Sequence, residues 1–192
     1  GGSYYVVWED NRNSGSTGYD IYGTQVKISG SVATVNGTPI STAYYYQYHP
    51  DVAWDGTNYM VVWQDNRHTY ASGYDIFASR VSAAGVVLDK AGIPVSRAGA
   101  DQLYPKIASA GSGSVVLWQD ARNGKYNTDV FGTVITNAGV VKTPVGLGVA
   151  ASLEHERNPE LTAGSGGNYL AVYSRFTPGS SAGATRIYGR LI

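Results

Sequence analysis

Short apolar runs recur along the chain at a fixed spacing. Three of them, at residues 6–8, 61–63 and 116–118, end in tryptophan, and a fourth at 171–173 ends in tyrosine. Each run ends 55 residues after the one before it. The runs are continuous rather than alternating, which is typical of strands that are buried on both faces. A period of this length, rich in β-formers, predicts an array of packed repeats.

The second repeat serves as a template for the strands within one unit. Residues 49–54 are predicted to form a first strand, 59–65 a second, 74–81 a third, and 93–95 a shorter fourth. Glycine-containing turns separate these segments and supply the backbone angles that tight turns need. Four short antiparallel strands per repeat are typical of a β-propeller blade.

The same pattern divides the whole chain into four repeats of one domain. They span residues 1–43, 44–97, 98–151 and 152–192. The first repeat lacks its first strand and the fourth lacks its last, so the sequence predicts fourteen strands rather than the sixteen of a complete four-bladed ring. We therefore expect an all-β propeller domain, residues 1–192, that either closes imperfectly or is part of a larger propeller, and we favour the second.

A Trp-x-Asp-x-Arg motif ends the second strand of three repeats. Its central copy is Trp63, Asp65 and Arg67, and a second carboxylate, Asp75, opens the next strand. The motif suits either a site with paired carboxylates or a hydrogen-bonded Asp–Arg pair that holds the hairpin. We favour the structural interpretation, because a catalytic group is needed once and this set recurs in register. Asp75 is expected to lie beside Arg67 across the hairpin.

The fourth repeat departs from the motif. Arg175 replaces the aspartate and Arg186 replaces the carboxylate of the following strand. Two cations that face each other across a hairpin repel. The acidic residues Glu154, Glu156 and Glu160 lie nearby in sequence. They are expected to offset this charge, with an eroded last repeat of solvated arginines as the alternative.

Composition excludes several classes of function. The net charge is zero and 15% of the residues are charged, so no basic surface is available for nucleic acid. No apolar run approaches the length of a membrane span. Cysteine is absent, which excludes disulfides and thiolate sites. We expect no metal and no cofactor.

The repeats resemble a known family. The run VVWQDNR, followed by YDIFASRV and by strand pairs of the form HPDVAWDGTNYMVVW, is similar to repeats of large bacterial and archaeal secreted or surface-anchored proteins. Those repeats carry Trp-x-Asp-x-Arg and then Asp-Ile-Tyr-Gly-x-x-Val. The resemblance covers the whole chain. It implies a β-propeller and a secreted or cell-surface location, and no single activity.

Chain topology places the loops between repeats and the loops between second and third strands at one face. This face receives aromatic and polar side chains that the other repeats do not share. The candidate ligand-binding residues are Tyr44, Tyr45, Tyr46, Tyr48, His49, Tyr70, Asp101, Gln102, Tyr104 and Tyr126. Aromatic platforms with a few convergent polar groups suit sugar ligands.

These observations favour a non-catalytic extracellular module that binds polysaccharide through the tyrosine-rich face, rather than an enzyme. One alternative is a structural or adhesion domain whose partner is another surface protein. A second is a propeller enzyme of the glycoside hydrolase type that uses Asp101, Glu154, Glu156 or Glu160, since such enzymes need paired carboxylates.

Overall fold

The computed structural model describes residues 2–111, 113–177 and 183–192, which form an all-β fold. The strands of this part of the chain are β1 (Ser3–Asp10), β2 (Asp20–Lys27), β3 (Thr38–Ser41), β4 (Gln47–Trp54), β5 (Asn58–Asp65), β6 (Asp75–Ser82), β7 (Ile93–Ser96), β8 (Gln102–Ser109), β9 (Ser114–Asp120), β10 (Asp129–Ile135), β11 (Leu147–Ala150), β12 (Glu156–Ala163), β13 (Tyr169–Thr177) and β14 (Ala184–Leu191). A single 3-10 turn, Ser165–Gly167, precedes β13. Within the described ranges, no helix has the length and apolar character that a membrane crossing requires.

The strands pair with their neighbours in sequence to form four antiparallel sheets. The first contains β1 to β3, the second β4 to β7, the third β8 to β11, and the fourth β12 to β14. The central hairpin of the second sheet pairs without a shift, from Asn58 opposite Ser82 to Asp65 opposite Asp75. The strand order within each repeat agrees with the sequence prediction, and the all-β fold is confirmed.

Apolar side chains fill the spaces between successive sheets. Trp63 and Trp118 are completely buried. Trp63 packs in a cluster with Tyr5 and Ile21 of the first sheet, and Trp118 packs with Met60 of the second. An aromatic ring that buries about 200 Å² contributes roughly 5 kcal/mol before the loss of conformational entropy is counted. The continuous apolar runs are therefore the contacts that hold one sheet against the next.

The Trp-x-Asp-x-Arg motif forms a closed set of hydrogen bonds. Trp63 Nε1 donates to Asp65 Oδ2 at 2.8 Å. Arg67 donates from Nε and Nη2 to the two oxygens of the same carboxylate at 2.9 and 2.6 Å. Its guanidinium also lies 4.1 Å from the centre of the Phe77 ring. The first and third sheets repeat these carboxylate contacts, which supports the structural interpretation of the motif.

The expected pair between Arg67 and Asp75 is replaced by other partners. Asp75 Oδ2 lies 3.1 Å from His68 Nδ1 and 3.6 Å from Arg97 Nε. Arg67 instead turns back onto Asp65, because it lies in the turn directly after β5, where its backbone N–H also donates to Asp65 Oδ1 at 2.9 Å. Burial raises the pKa of Asp75, and its hydrogen bonds and the nearby cations oppose that rise.

The inverted charge of the fourth sheet is matched by one of the nearby acids. Arg175 Nε lies 2.9 Å from Glu156 Oε1, and the side chain of Glu156 is fully buried. Glu160 pairs instead with Lys106 of the third sheet at 2.8 Å. The prediction that nearby acids offset the arginine is confirmed for Glu156. It does not hold for Glu160, whose partner is Lys106.

The first strands of the later repeats form the inner edge of the molecule. β8 lies between β4 and β12, and β1 lies beside β4. Successive sheets therefore meet along this edge as well as across their faces. Among the described residues, the first and fourth sheets share no comparably extensive contact with each other.

Candidate functional site

Three bulges interrupt the inner strands at the same point. Pairing shifts in β4 between Tyr48 and Asp51, in β8 between Leu103 and Lys106, and in β12 between Arg157 and Glu160. A proline lies inside each bulge, at a position where a strand tolerates the loss of an N–H donor.

The residue before each proline has a left-handed backbone. The φ angles are 52° at His49, 53° at Tyr104 and 50° at Asn158. Non-glycine residues rarely adopt this conformation, and it costs about 1–3 kcal/mol where it occurs. The three residues with this left-handed backbone border one common space, which the bulges enclose.

That space is a pocket at the inner edge, which we call the central pocket. It is lined by residues 49–51, 104–106 and 158–160 and has a volume of about 230 Å³. Each strand contributes the same three positions, but the third position differs in chemistry. It is Asp51 in β4, Lys106 in β8 and Glu160 in β12. A repeated scaffold thus presents two carboxylates and one amine to a common space.

Asp51 is the more enclosed of the two carboxylates. Its Oδ1 accepts the Val52 N–H at 2.9 Å, and its Oδ2 accepts the Ile107 N–H at 2.9 Å. Burial raises the pKa of Asp51 and the charge of Glu160 adds to this, whereas Lys106 and the two N–H groups lower it. Each carboxyl oxygen retains a second lone pair, so the group remains able to exchange a proton.

Glu160 is the second carboxylate of the pocket, and Glu9 brings a third to the same region. Glu160 is 66% exposed and its Oε1 lies 2.8 Å from Lys106 Nζ. Glu9, on β1, accepts the backbone N–H of His49 at 2.8 Å and lies 3.7 Å from its ring nitrogen Nδ1. Gln64, which is the residue equivalent to Glu9 in the next repeat, accepts the N–H of Tyr104 at 3.0 Å. The bulges of β4 and β8 are therefore stabilised by side chains from the neighbouring sheet.

An aromatic run leads from the surface into the central pocket. The rings of Tyr46 and Tyr48 are parallel, with centres 5.8 Å apart. Tyr48 is followed by His49 at 6.3 Å, and His49 by Tyr104 at 4.8 Å. Burial and the neighbouring phenols of Tyr19 and Tyr46 raise the pKa of Tyr48, so this ring stays neutral. We call these four residues the aromatic run.

The other predicted ligand-binding residues lie outside the central pocket. Tyr44, Tyr45 and Tyr70 form a second group of edge-to-face rings, with centres 4.6 and 6.3 Å apart. Tyr126 is 75% exposed and lies beside Lys125. The sequence prediction therefore named two aromatic groups, and the structure brings one of them to the bulges.

Two predicted polar residues have structural partners. Gln102 is fully buried, and its amide nitrogen donates to the carbonyls of Ala98 and Ala100 at 3.1 and 2.6 Å. Asp101 is exposed, and its Oδ1 accepts the N–H of Tyr74 at 2.9 Å. Gln102 does not face solvent, because the first residue of an inner strand turns its side chain towards the linker that precedes it.

Sequence reasoning overlooked Asp51, Lys106 and Glu9. A signal was available, since His-Pro-Asp, Tyr-Pro-Lys and Asn-Pro-Glu recur at the start of three repeats with a constant proline and a varied third residue. Variation at one position of a repeated scaffold distinguishes a site from packing. Of the four acids considered for an enzyme, Glu160 is the one that the structure places in the central pocket. Within the described residues, no cluster of three or more His, Cys, Asp or Glu has a metal-binding arrangement.

Solved structures share this fold. An α-L-arabinofuranosidase from Lactobacillus brevis is 8% identical over 97% of this chain and 68% of its own, with a TM-score of 0.59. An α-L-arabinanase from Penicillium chrysogenum, complexed with arabinobiose, is 16% identical over 99% and 59%, with a TM-score of 0.64. An endo-arabinase from Bacteroides thetaiotaomicron is 12% identical over 100% and 72%, with a TM-score of 0.60. No family model and no curated protein matches the sequence.

These comparisons correct the interpretation of the chain as a non-catalytic binding module. Structures with this β-propeller-like, all-β fold are named as arabinanases and an arabinofuranosidase, which are glycoside hydrolases. The expectation that the chain is not an enzyme is wrong on the same ground. The chain spans 59% of the length of the Penicillium structure and 38% of a Bacteroides ovatus xyloglucan-locus GH43B structure. At such low identities the likeness establishes the fold alone.

Proposed function

We propose that the chain is the larger part of a glycoside hydrolase that cleaves a polysaccharide in the central pocket. The observation that carries this proposal is the pair of carboxylates, Asp51 and Glu160, which bulged inner strands present to one space. The fold shared with arabinanases supports it. The second alternative considered for the sequence, a propeller enzyme, is thus preferred to the binding module.

The two carboxylates are assigned different roles. Glycosidases use one protonated carboxyl as an acid and one carboxylate as a base or nucleophile. The raised pKa of Asp51 suits the acid, which donates its proton to the glycosidic oxygen as the C–O bond breaks. Glu160 is more exposed, and its ion pair with Lys106 favours the charged carboxylate. A charged carboxylate suits the base that removes a proton from the attacking water.

The aromatic run is assigned to substrate binding. The rings of Tyr46, Tyr48, His49 and Tyr104 follow one another with centres 4.8–6.3 Å apart, and the last two line the pocket. Apolar ring faces pack well against sugars. The Penicillium arabinanase is complexed with arabinobiose. We therefore propose an arabinose- or xylose-containing polysaccharide as the substrate. Tyr44, Tyr45, Tyr70 and Tyr126 are proposed as outlying contacts for a longer chain.

The proposal extends to the context of the domain. The four sheets are proposed as blades of a larger propeller, since the first and fourth share no extensive strand-to-strand contact in the described residues. The resemblance to repeats of secreted and surface-anchored proteins supports a location outside the cell, where such polysaccharides occur. A surface-protein partner has no support in these comparisons.

The test is hydrolysis by the purified chain. It is incubated with linear arabinan, arabinoxylan and xyloglucan, and released sugars are measured by reducing-end assay and chromatography. D51N and E160Q are each expected to lower the rate by about 100-fold or more, the usual contribution of a positioned proton donor or acceptor. The rate should also fall as pH rises through the raised pKa of Asp51, because the acid must be protonated.

The control is D89N, which removes a carboxylate of the turn after β6, away from the pocket. It should keep the wild-type rate, and melting curves should show that all three variants remain folded. Binding of these glycans without any release of sugar would overturn the catalytic proposal in favour of recognition alone. Equal rates in wild type, D51N and E160Q would remove the two carboxylates from the mechanism.

A further inference from the structure

A valine from the turn after the third strand is seated between successive sheets. Val87 follows β6 and packs in the cluster of Tyr5 and Ile40, which belong to the first sheet. Val141 follows β10 and packs in the cluster of Met60 and Val95 of the second sheet. Each valine is held by an isolated backbone bridge to the end of its own third strand, Val81 or Ile135. The same element thus closes both of these gaps.

The turn that carries this valine also covers the sheet before it. A Cβ atom added to Gly139, in the turn after β10, would lie 2.9 Å from Ile93 Cδ1. Ala83, in the turn after β6, accepts a hydrogen bond from Gln25 of the first sheet at 2.9 Å. Both turns therefore cover the outer part of the preceding sheet.

The third gap, between the third and fourth sheets, contains an open apolar cleft of about 420 Å³. Val115 and Val149 line it, and they occupy the positions that Met60 and Val95 hold in the second sheet. Leu147 also lines the cleft and is 66% exposed, whereas the equivalent Ile93 is half-buried beneath the Gly139 turn. In the first two gaps a valine and its turn cover the equivalent apolar residues. In the third gap these residues line an open cleft, and within the described residues no such valine or turn lies over them.

The strand beside the cleft has a free edge. β2, β6 and β10 each pair with strands on both sides, whereas β14 pairs with β13 alone among the described residues. An edge of this kind presents unpaired N–H and C=O groups that an incoming extended segment satisfies. The apolar lining and the free edge adjoin each other, since Arg190 of β14 borders the cleft.

We propose that this cleft and the edge of β14 bind an extended polypeptide segment with the pattern of residues 82–96. Such a segment carries a turn, a valine for the cleft and a short strand of the Ile-Pro-Val-Ser type. Its strand pairs antiparallel with β14, as β7 does with β6. Its turn covers Leu147 as the Gly139 turn covers Ile93. The proposal concerns a polypeptide partner, and it is independent of the hydrolase activity.

The test uses a fluorescent synthetic peptide that copies residues 82–96. Fluorescence anisotropy should show saturable binding to the 192-residue chain, with a dissociation constant below about 100 µM. A peptide with V87D should bind at least tenfold more weakly, because a carboxylate would enter the apolar cleft. Hydrogen exchange of the β14 amides should slow when the peptide is bound.

Variants of the chain locate the binding surface. L147D should weaken peptide binding at least tenfold with little effect on folding, since Leu147 is already exposed. V35D changes an exposed valine in the loop between β2 and β3 in the same way and should leave binding unchanged. Absence of binding at 1 mM peptide, or equal affinity for the V87D peptide, would overturn the proposal. So would self-association of the chain that L147D abolishes while the peptide has no effect, since the occupant would then be a second copy.

Discussion

Replacing Asp65 with asparagine is expected to destabilise the fold through its hydrogen bonds rather than its volume. Asp65 is fully buried, and its Oδ2 accepts hydrogen bonds from Trp63 Nε1 at 2.8 Å and Arg67 Nη2 at 2.6 Å. An amide nitrogen at that position would face two donors. The indole N–H and one guanidinium N–H would then be buried without an acceptor.

The magnitude follows from these two lost partners. An unpaired neutral N–H costs about 1–3 kcal/mol, and a hydrogen bond to a charged group contributes about 1.5–3 kcal/mol. Breaking a buried ion pair from one side costs about 3–5 kcal/mol in total. The Asp65 to asparagine change is therefore expected to lower the free energy of unfolding by about 3–5 kcal/mol.

The first sheet supplies a matched control for this prediction. Asp10 makes the same contacts with Trp8 and Arg12, but Arg12 is 41% exposed whereas Arg67 is 18% exposed. Solvent replaces lost partners at an exposed pair, so D10N should cost much less than D65N. Urea unfolding followed by circular dichroism measures both. A loss below about 1 kcal/mol for D65N, or equal losses in the two variants, would refute the argument from burial.

Three further predictions concern packing, pH and backbone conformation. W63A should cost about 3–5 kcal/mol in denaturant melts, because it empties a fully buried site, and a loss typical of surface positions would contradict this. Arg80 lowers the pKa of Asp89, so this pair stabilises the fold above about pH 4 and the benefit is lost as pH falls through the lowered pKa. D89N should therefore be less stable than wild type at pH 7, and this loss of stability should shrink towards pH 3. G146A should destabilise the fold more than G30A, although both glycines have positive φ. An added methyl at residue 146 would lie 2.5 Å from an indole ring, whereas at residue 30 it would meet nothing within 4 Å. Equal melting temperatures of the two variants would refute this.

Much of the fold was predictable because the packing is periodic. A strand that is buried on both faces must be apolar throughout, so the runs that end at Trp63 and Trp118 identify the middle of each sheet directly. An Asp–Arg pair was also predictable, since the first three repeats preserve it. Which aspartate Arg67 pairs with was not predictable, because the chain turns directly after Asp65 and folds Arg67 back onto it, while His68 and Arg97 lie against Asp75.

The candidate site was harder to predict, because it is assembled between repeats. The aromatic residues were visible as unrepeated features and were interpreted as parts of a binding face. Glu160 was interpreted as an acid that offsets the arginines of the fourth repeat or, in the enzyme alternative, as a catalytic carboxylate. Asp51 was passed over, since its signal appears only when the three X-Pro-X segments of the repeats are compared, not within its own strand. Its environment depends on Ile107 and Lys106 of the next sheet, which lie more than 50 residues away in sequence.

The sequence by itself thus determined the all-β class, the repeat length and the strands within each repeat, because these follow from local periodicity in side-chain polarity. The tertiary structure decided which unrepeated residues meet. In the folded chain, three proline-containing bulges line one pocket. Asp51 is enclosed there, and Glu160 is exposed beside Lys106. The physical reason is that burial, and with it the pKa of a carboxyl group, is a property of the sheets that surround it rather than of the strand that carries it.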